Sequence, residues 1–180
     1  MMAGSVCVAM SVNAQGVVFP YGAPGYRYNI YGTASEISPG VETVDFDDSG
    51  FPVGQAAFAS PTICEIQPTT LWPPETYLAA RKRFNLTEPI GGASIHFGID
   101  NDVKIYINGV MVALVLHGGC PYYDEFNFPI PDSMFVVGEN VLVAVCHDNG
   151  GPTAFDISLT YLMPTAVRRE SWGMLKEIYR

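Results

Sequence analysis

Two short clusters carry side chains suited to holding a polyhydroxylated ligand: Asp100-Asn101-Asp102 and Tyr122-Tyr123-Asp124. Carboxylates and carboxamides hydrogen-bond pairs of neighbouring hydroxyls, and an aromatic face packs against the C–H surface of a sugar ring. A hairpin brings the clusters together. Val103 to Ile107 alternates apolar and polar residues, Asn108-Gly109 supplies the two positive-φ positions of a type I′ turn, and Val110 to Leu116 returns. With the turn at one end, residues 100–102 and 117–124 share the other. The candidate ligand-binding residues are therefore Asp100, Asn101, Tyr122, Tyr123 and Asp124, and Trp72 joins them if a disulfide draws its loop in. The competing account of the same residues is a loop end held by its own hydrogen bonds and stacked tyrosines. A second candidate is His147-Asp148-Asn149-Gly150-Gly151, whose side of the molecule the sequence does not fix and whose glycine pair suits a turn.

Other reactive residues point away from catalysis. Cys64 lies in a Pro/Thr-rich loop and Cys120 in a Gly/Pro-rich one, which makes them natural disulfide partners in an oxidising compartment. Cys146 closes the apolar run NVLVAVC and reads as a buried thiol. His117, Cys120, Cys146 and His147 lack the paired spacing of a zinc module. Asp47/Asp48 and Asp100/Asp102 are too close in sequence to oppose each other across a glycosidic bond. No Gly-x-Ser-x-Gly, His-Glu-x-x-His or phosphate-loop pattern occurs, so the expectation is a protein that is not an enzyme. His96 falls on the outward phase of its strand and reads as a surface residue.

The elements that must position these residues are strands. The chain has 180 residues with 48% hydrophobic and 15% charged, enough for one packed domain. Its 18 Gly and 14 Pro punctuate short runs. Ala93, Ile95, Phe97 and Ile99 alternate with polar or small residues, and further strands are expected at 126–130, 141–146 and 155–162. Residues 17–45 suit an irregular lead-in followed by an edge strand, and residues 59–76 a long loop clamped through Cys64. The run LAARKRFNL has helical propensity at its start and strand alternation at Phe84 and Leu86. The expected fold is an all-β antiparallel sandwich over residues 15–164. Phe84, Ile95, Phe97, Ile105, Val143 and Phe155 are its expected core.

Net charge is −9, and residues 1–167 hold five cations against sixteen acids, which excludes a nucleic-acid surface. Residues 1–14 resemble a signal leader, with Val12-Asn13-Ala14 as the cleavage pattern. They carry no basic residue, as a truncated start would explain. The apolar run is too short to span a bilayer, and Val6 before Cys7 rules out a lipoprotein signal. Residues 165–180 are basic and aromatic, and Ser171 can cap a short helix bearing Trp172, Leu175, Ile178 and Tyr179 near one face.

The segments RKRFNL, ASIHFGIDNDVKIYINGVMV, VVGENVLVAVCHDNGG and FDISL, in this order, resemble the galactose-binding-like jelly roll over roughly Val41 to Leu162. Such domains occur as accessory or carbohydrate-binding modules of secreted bacterial proteins and in some glycosidases. The resemblance implies a secreted or cell-surface module that binds glycan or polysaccharide through loops at one end. It also implies a structural calcium ion, for which Asp45, Asp47, Asp48 and Asp156 are the oxygen donors. The tail resembles the Trp-Gly-x-x-Lys-x-x-Tyr-Arg ends of some secreted bacterial proteins, which makes it a sorting or partner-docking peptide or a segment packed on the domain. The alternative function is a structural or assembly subunit of a cell surface, appendage or virion, docking through that tail.

Overall fold

The computed structural model describes residues 14–62 and 64–163, so the leader and the basic tail with its expected helix lie outside the described residues. Eleven strands form: β1 Gln15–Phe19, β2 Pro24–Tyr31, β3 Val53–Gln55, β4 Phe58–Ala59, β5 Thr70–Leu71, β6 Tyr77–Leu86, β7 Gly91–Ile107, β8 Val110–His117, β9 Phe126–Ile130, β10 Gly138–His147 and β11 Ala154–Leu162. The only helical turns among the described residues are two of the 3-10 type, at Ala34–Glu36 and Asp132–Met134. One sheet runs β9-β7-β11, with β1 and β4 both on the other edge of β11 and β5 outside β4. The other runs β3-β2-β6-β10-β7-β8. Every pairing is antiparallel except β4 with β5, and the result is a nearly closed, barrel-like all-β sandwich.

The two runs expected as separate strands, 93–99 and 103–107, are one strand of 17 residues. The first half of β7 pairs β9 and β11, and the second half pairs β10 and β8. Ile99 and Val103 are four residues apart, so the strand passes from one sheet into the other without changing which side chains face inward. Ala93, Ile95, Phe97, Ile99, Val103, Ile105 and Ile107 are all buried. They meet Leu142, Ala144 and Cys146 from β10 and Phe155, Ile157 and Leu159 from β11 in one core. Phe97 stacks on Phe126 and Phe128, with centroids 5.4 and 5.8 Å apart. Each fully buried Val, Leu, Ile or Phe among them contributes about 1.5–3 kcal/mol relative to exposure.

Several expectations change. The start of β6 is not helical. Leu78 to Arg81 are buried between β2 and β10 in unbroken register, and the ladder on both sides overrides helical propensity. Strand β2 is not an edge, because the short β3 lies outside it. Trp72, expected near a ligand, is fully buried in the core, its indole N–H donating to Thr76 Oγ1 at 3.0 Å. It has no free face to offer a sugar. Of the expected core, Val143 is buried on the opposite face of its sheet, and Phe84 is half-buried and packs against the core.

Two local devices hold the ends of the hairpins. Asn108 and Gly109 take φ of 50° and 83°, as a type I′ turn requires. The Asn108 side chain accepts from Val141 N–H at 2.9 Å and donates to the Asn140 carboxamide at 2.8 Å. Asn140, fully buried, also accepts from Val136 N–H and donates to the Val136 and Gly138 carbonyls. Residues 34–52 then cross over the outer face of the second sheet, where Arg81 pins them. Its Nε lies 2.8 Å from Asp48 Oδ2, its Nη1 donates to the Val41 and Thr43 carbonyls, and its guanidinium lies over the Phe46 ring.

On the first sheet Asp156 is buried beneath residue 22, accepting from Gly22 N–H at 3.0 Å and Ile157 N–H at 2.8 Å. Burial raises its carboxyl from 3.8 to about 6, against the pull of those two N–H groups. Ionisation therefore costs more in the folded than in the unfolded chain. This contribution to stability is complete below pH 3.8 and is lost as pH rises through about 6. The shift corresponds to about 3 kcal/mol. Asp156→Asn is expected to match the wild type near pH 4 and to exceed its melting temperature near pH 8. A melting difference that does not change with pH would refute this.

Candidate functional site

The outer face of the second sheet is a grid of cross-strand rows. Tyr31, Tyr77, His147, Asp102 and Leu116 lie side by side across five strands. The next row is Asn29, Ala79, Val145, Lys104 and Leu114. Residues 34–52 cover the β2 and β6 side of this grid, burying Tyr31 and Ala79 against Val41. The β7 and β8 side stays open. Between the covering segment and β8 lies a groove of about 630 Å³, within the ~300–1,000 Å³ of small-ligand clefts.

The groove has distinct walls. Ile37 to Glu42 form one side, and the exposed Leu114 and Leu116 form the other. Lys104 and Tyr106 rise from the floor as outward residues of β7. Burial, then the Glu42 carboxylate, pushes the Tyr106 phenol up, and its hydroxyl can both donate and accept. One end is polar. His147 stacks on Tyr77 with ring centroids 4.1 Å apart, and its Nδ1 lies 3.6 Å from Asp102 Oδ2. Asn149 donates to the same Asp102 oxygen at 3.2 Å, and its backbone N–H donates to Asn101 Oδ1 at 2.7 Å. Asp102 Oδ1, the Tyr106 hydroxyl and the Lys104 ammonium can engage ligand hydroxyls while the leucines contact C–H surface.

The sequence-derived residues divide among three places. Asn101 touches the polar end of the groove through Asn149. Asp100 is buried at the corner where β7 changes sheets, and burial pushes its carboxyl up. Tyr122, Tyr123 and Asp124 sit across the corner on the outer face of the first sheet. There Tyr123 packs on Tyr21 at 4.7 Å, Asp124 accepts from the Tyr21 hydroxyl at 3.0 Å, and Tyr122 is half-exposed. Residues 100–102 and 117 do meet, since Asn101 pairs with His117. The loop from 147 to 151, whose side was open, follows His147, which lines the groove, and its Asn149 braces the Asp102 carboxylate. Tyr77, Lys104, Tyr106, Leu114 and Leu116 were not singled out as ligand residues. The signal for them was the outward phase of β7 and its ladder partners.

Cys64 and Cys120 form the expected disulfide, joining the loop before β5 to the loop after β8, and Cys146 is a buried free thiol. The four carboxylates suggested for calcium do not make one donor set. Asp48 is engaged by Arg81 and Arg83, Asp156 lies on the other sheet under Gly22, and Asp45 and Asp47 are exposed on a turn. No three His, Cys, Asp or Glu side chains among the described residues form a metal-holding group.

No sequence family matches the chain, and no curated protein does. Solved structures share its fold. It superposes on a β-glucuronidase of Bacteroides uniformis with TM-score 0.57 at 14% identity, covering 83% of this chain and 18% of the enzyme. A glycosyl hydrolase family 2 member from Bacteroides cellulosilyticus gives TM-score 0.52 at 16% identity, covering 78% and 20%. A β-glucuronidase of Lactobacillus rhamnosus gives 0.54 at 12%, covering 87% and 30%. The chain thus spans less than a third of each of these enzymes, and its fold is that of one β-sandwich portion of them.

Proposed function

We propose that this chain is a secreted, non-catalytic carbohydrate-binding module, a jelly roll of the galactose-binding-like type, that takes a glycan segment in the groove between residues 37–42 and β8. The observation that carries this reading is the groove, which combines a hydrogen-bonding end at Asp102 and His147 with an apolar side at Leu114 and Leu116. The likeness to one portion of glycosidases adds a glycan context, and the disulfide supports an oxidising compartment. No helix among the described residues is long and apolar enough to cross a membrane.

A glycan and polysaccharide array on the full chain tests the reading, followed by titration of the best hit. Asp102→Ala and Tyr106→Ala, both on the open face, are expected to weaken binding about 10–100-fold, the loss of one or two ligand hydrogen bonds, while stability falls by no more than about 1 kcal/mol. Loss on Tyr122→Ala alone would move the site to the loop end. No binding to any glycan would favour the second reading, an assembly subunit. One feature supports that reading. Strand β8 pairs only with β7 among the described residues, carries no Lys, Arg, Asp, Glu or Pro, and exposes Met111, Leu114 and Leu116. Sedimentation that shifts to larger species with concentration would then be expected.

A further inference from the structure

The opposite face of the sandwich carries a second polar cavity that the groove reading does not use. It measures about 360 Å³ and is lined by Gln15, His96, Asp124, Ser158 and Thr160, all of them polar. These residues come from β1, β7, the loop after β8, and β11. Register places them: Ser158 lies opposite His96 and Thr160 opposite Ser94, all on the outward phase of their strands. His96, read from sequence as a plain surface residue, is the centre of the arrangement.

The side chains form a continuous chain of polar contacts. Tyr21 hydroxyl donates to Asp124 Oδ1 at 3.0 Å, and Asp124 N–H donates back to that hydroxyl at 3.0 Å. The same Oδ1 lies 3.5 Å from His96 Nδ1. His96 Nε2 lies 3.2 Å from Thr160 Oγ1, which also accepts from the Gln15 carboxamide at 2.9 Å. Five side chains far apart in sequence are thus held in fixed orientations at a surface, where a merely solvated face needs no such order. Asp124 adopts φ 59°, the left-handed region, and its side chain is 69% exposed, so the carboxylate is presented outward with Oδ2 free of any bond among the described residues. Preorganised acceptors and donors of this kind lower the ordering cost of binding.

The geometry points to a second ligand site on this face, for a neutral polyhydroxylated ring. Two neighbouring hydroxyls would donate to Asp124 Oδ2 and to Ser158 or Thr160, and the Gln15 carboxamide would donate to a ring or hydroxyl oxygen. With Asp124 as its principal acceptor and no Lys or Arg in the lining, the cavity disfavours a carboxylated sugar. This site stands whether or not the groove binds glycan.

The test is amide chemical-shift mapping of the full chain with the methyl pyranosides of glucose, galactose, mannose and xylose, each at tens of millimolar, and with sodium glucuronate. At least one neutral glycoside is expected to shift the Gln15, His96, Ser158 and Thr160 amides saturably. Those shifts should fall at least about tenfold in Asp124→Ala and Thr160→Val, and persist in Asp102→Ala. Thr160→Val keeps the shape and removes only the hydroxyl, so folding is retained. No response at these amides to any neutral glycoside would overturn the proposal. Shifts that survive Asp124→Ala, or that glucuronate matches, would overturn it too. Shifts near Asp102 and Lys104 instead would report on the groove alone.

Discussion

Arg81→Ala is expected to destabilise the domain by about 3 kcal/mol, toward the lower end of the ~3–5 kcal/mol typical of a broken buried ion pair. Arg81 is almost wholly buried, and its side chain satisfies the Asp48 carboxylate and the Val41 and Thr43 carbonyls together. Removing it leaves the buried Asp48 carboxylate and Val41 carbonyl, and the part-buried Thr43 carbonyl, short of a donor. Arg83 Nε, 3.4 Å from Asp48 and partly exposed, retains some compensation, which is why the lower figure applies. The same substitution should lower affinity for a groove ligand, although Arg81 does not line the groove, because Val41 and its neighbours form one wall. Urea denaturation and ligand titration on the same variant check both effects. A loss below about 1 kcal/mol would show that the covering segment holds itself in place.

The larger expected effect follows from breaking the disulfide. Cys64 and Cys120 are 56 residues apart, so the link removes substantial loop entropy from the unfolded chain. The chain-entropy relation for a loop of that size gives about 4 kcal/mol. Cys64→Ser with Cys120→Ser should therefore shift the urea midpoint strongly, and reductant should then do nothing further. Wild type plus reductant should approach the double variant. The loops concerned also position residues 121–124, so the cavity around Asp124 should lose its order while the groove keeps its shape. An unchanged midpoint in the double variant would falsify the entropic account.

The legible part of this fold was local or parity-based. Ala93 to Ile99 and Val103 to Ile107 announced their buried faces by alternation, and Asn108-Gly109 announced its turn by the conformation only those residues take readily. The cysteine pair was legible because two loop thiols had one plausible partner each. What was illegible depended on distant partners. Trp72 in a Pro-rich loop looks exposed until β4 and β11 are known to enclose it. Asp48 looks like a solvated turn acid until Arg81, 33 residues on, is seen beneath it. The groove itself is created by which columns of the sheet residues 34–52 fail to cover. That is a matter of a loop's path, and no residue pattern encodes it.

The passage of β7 through both sheets bears on the order of assembly. Neither sheet can complete its ladder until this strand is seated, and all of its partners, β8 to β11, follow it in the chain. Hairpin β7–β8 closes locally, but β11 must return from more than fifty residues downstream of the start of β7 to finish the first sheet. Such non-local closure makes sandwiches slow folders, on the order of milliseconds to seconds. The core around β7 therefore stays open until residues 154–162 are available to pair, and every contact that β11 makes is withheld from the earlier part of the chain until then.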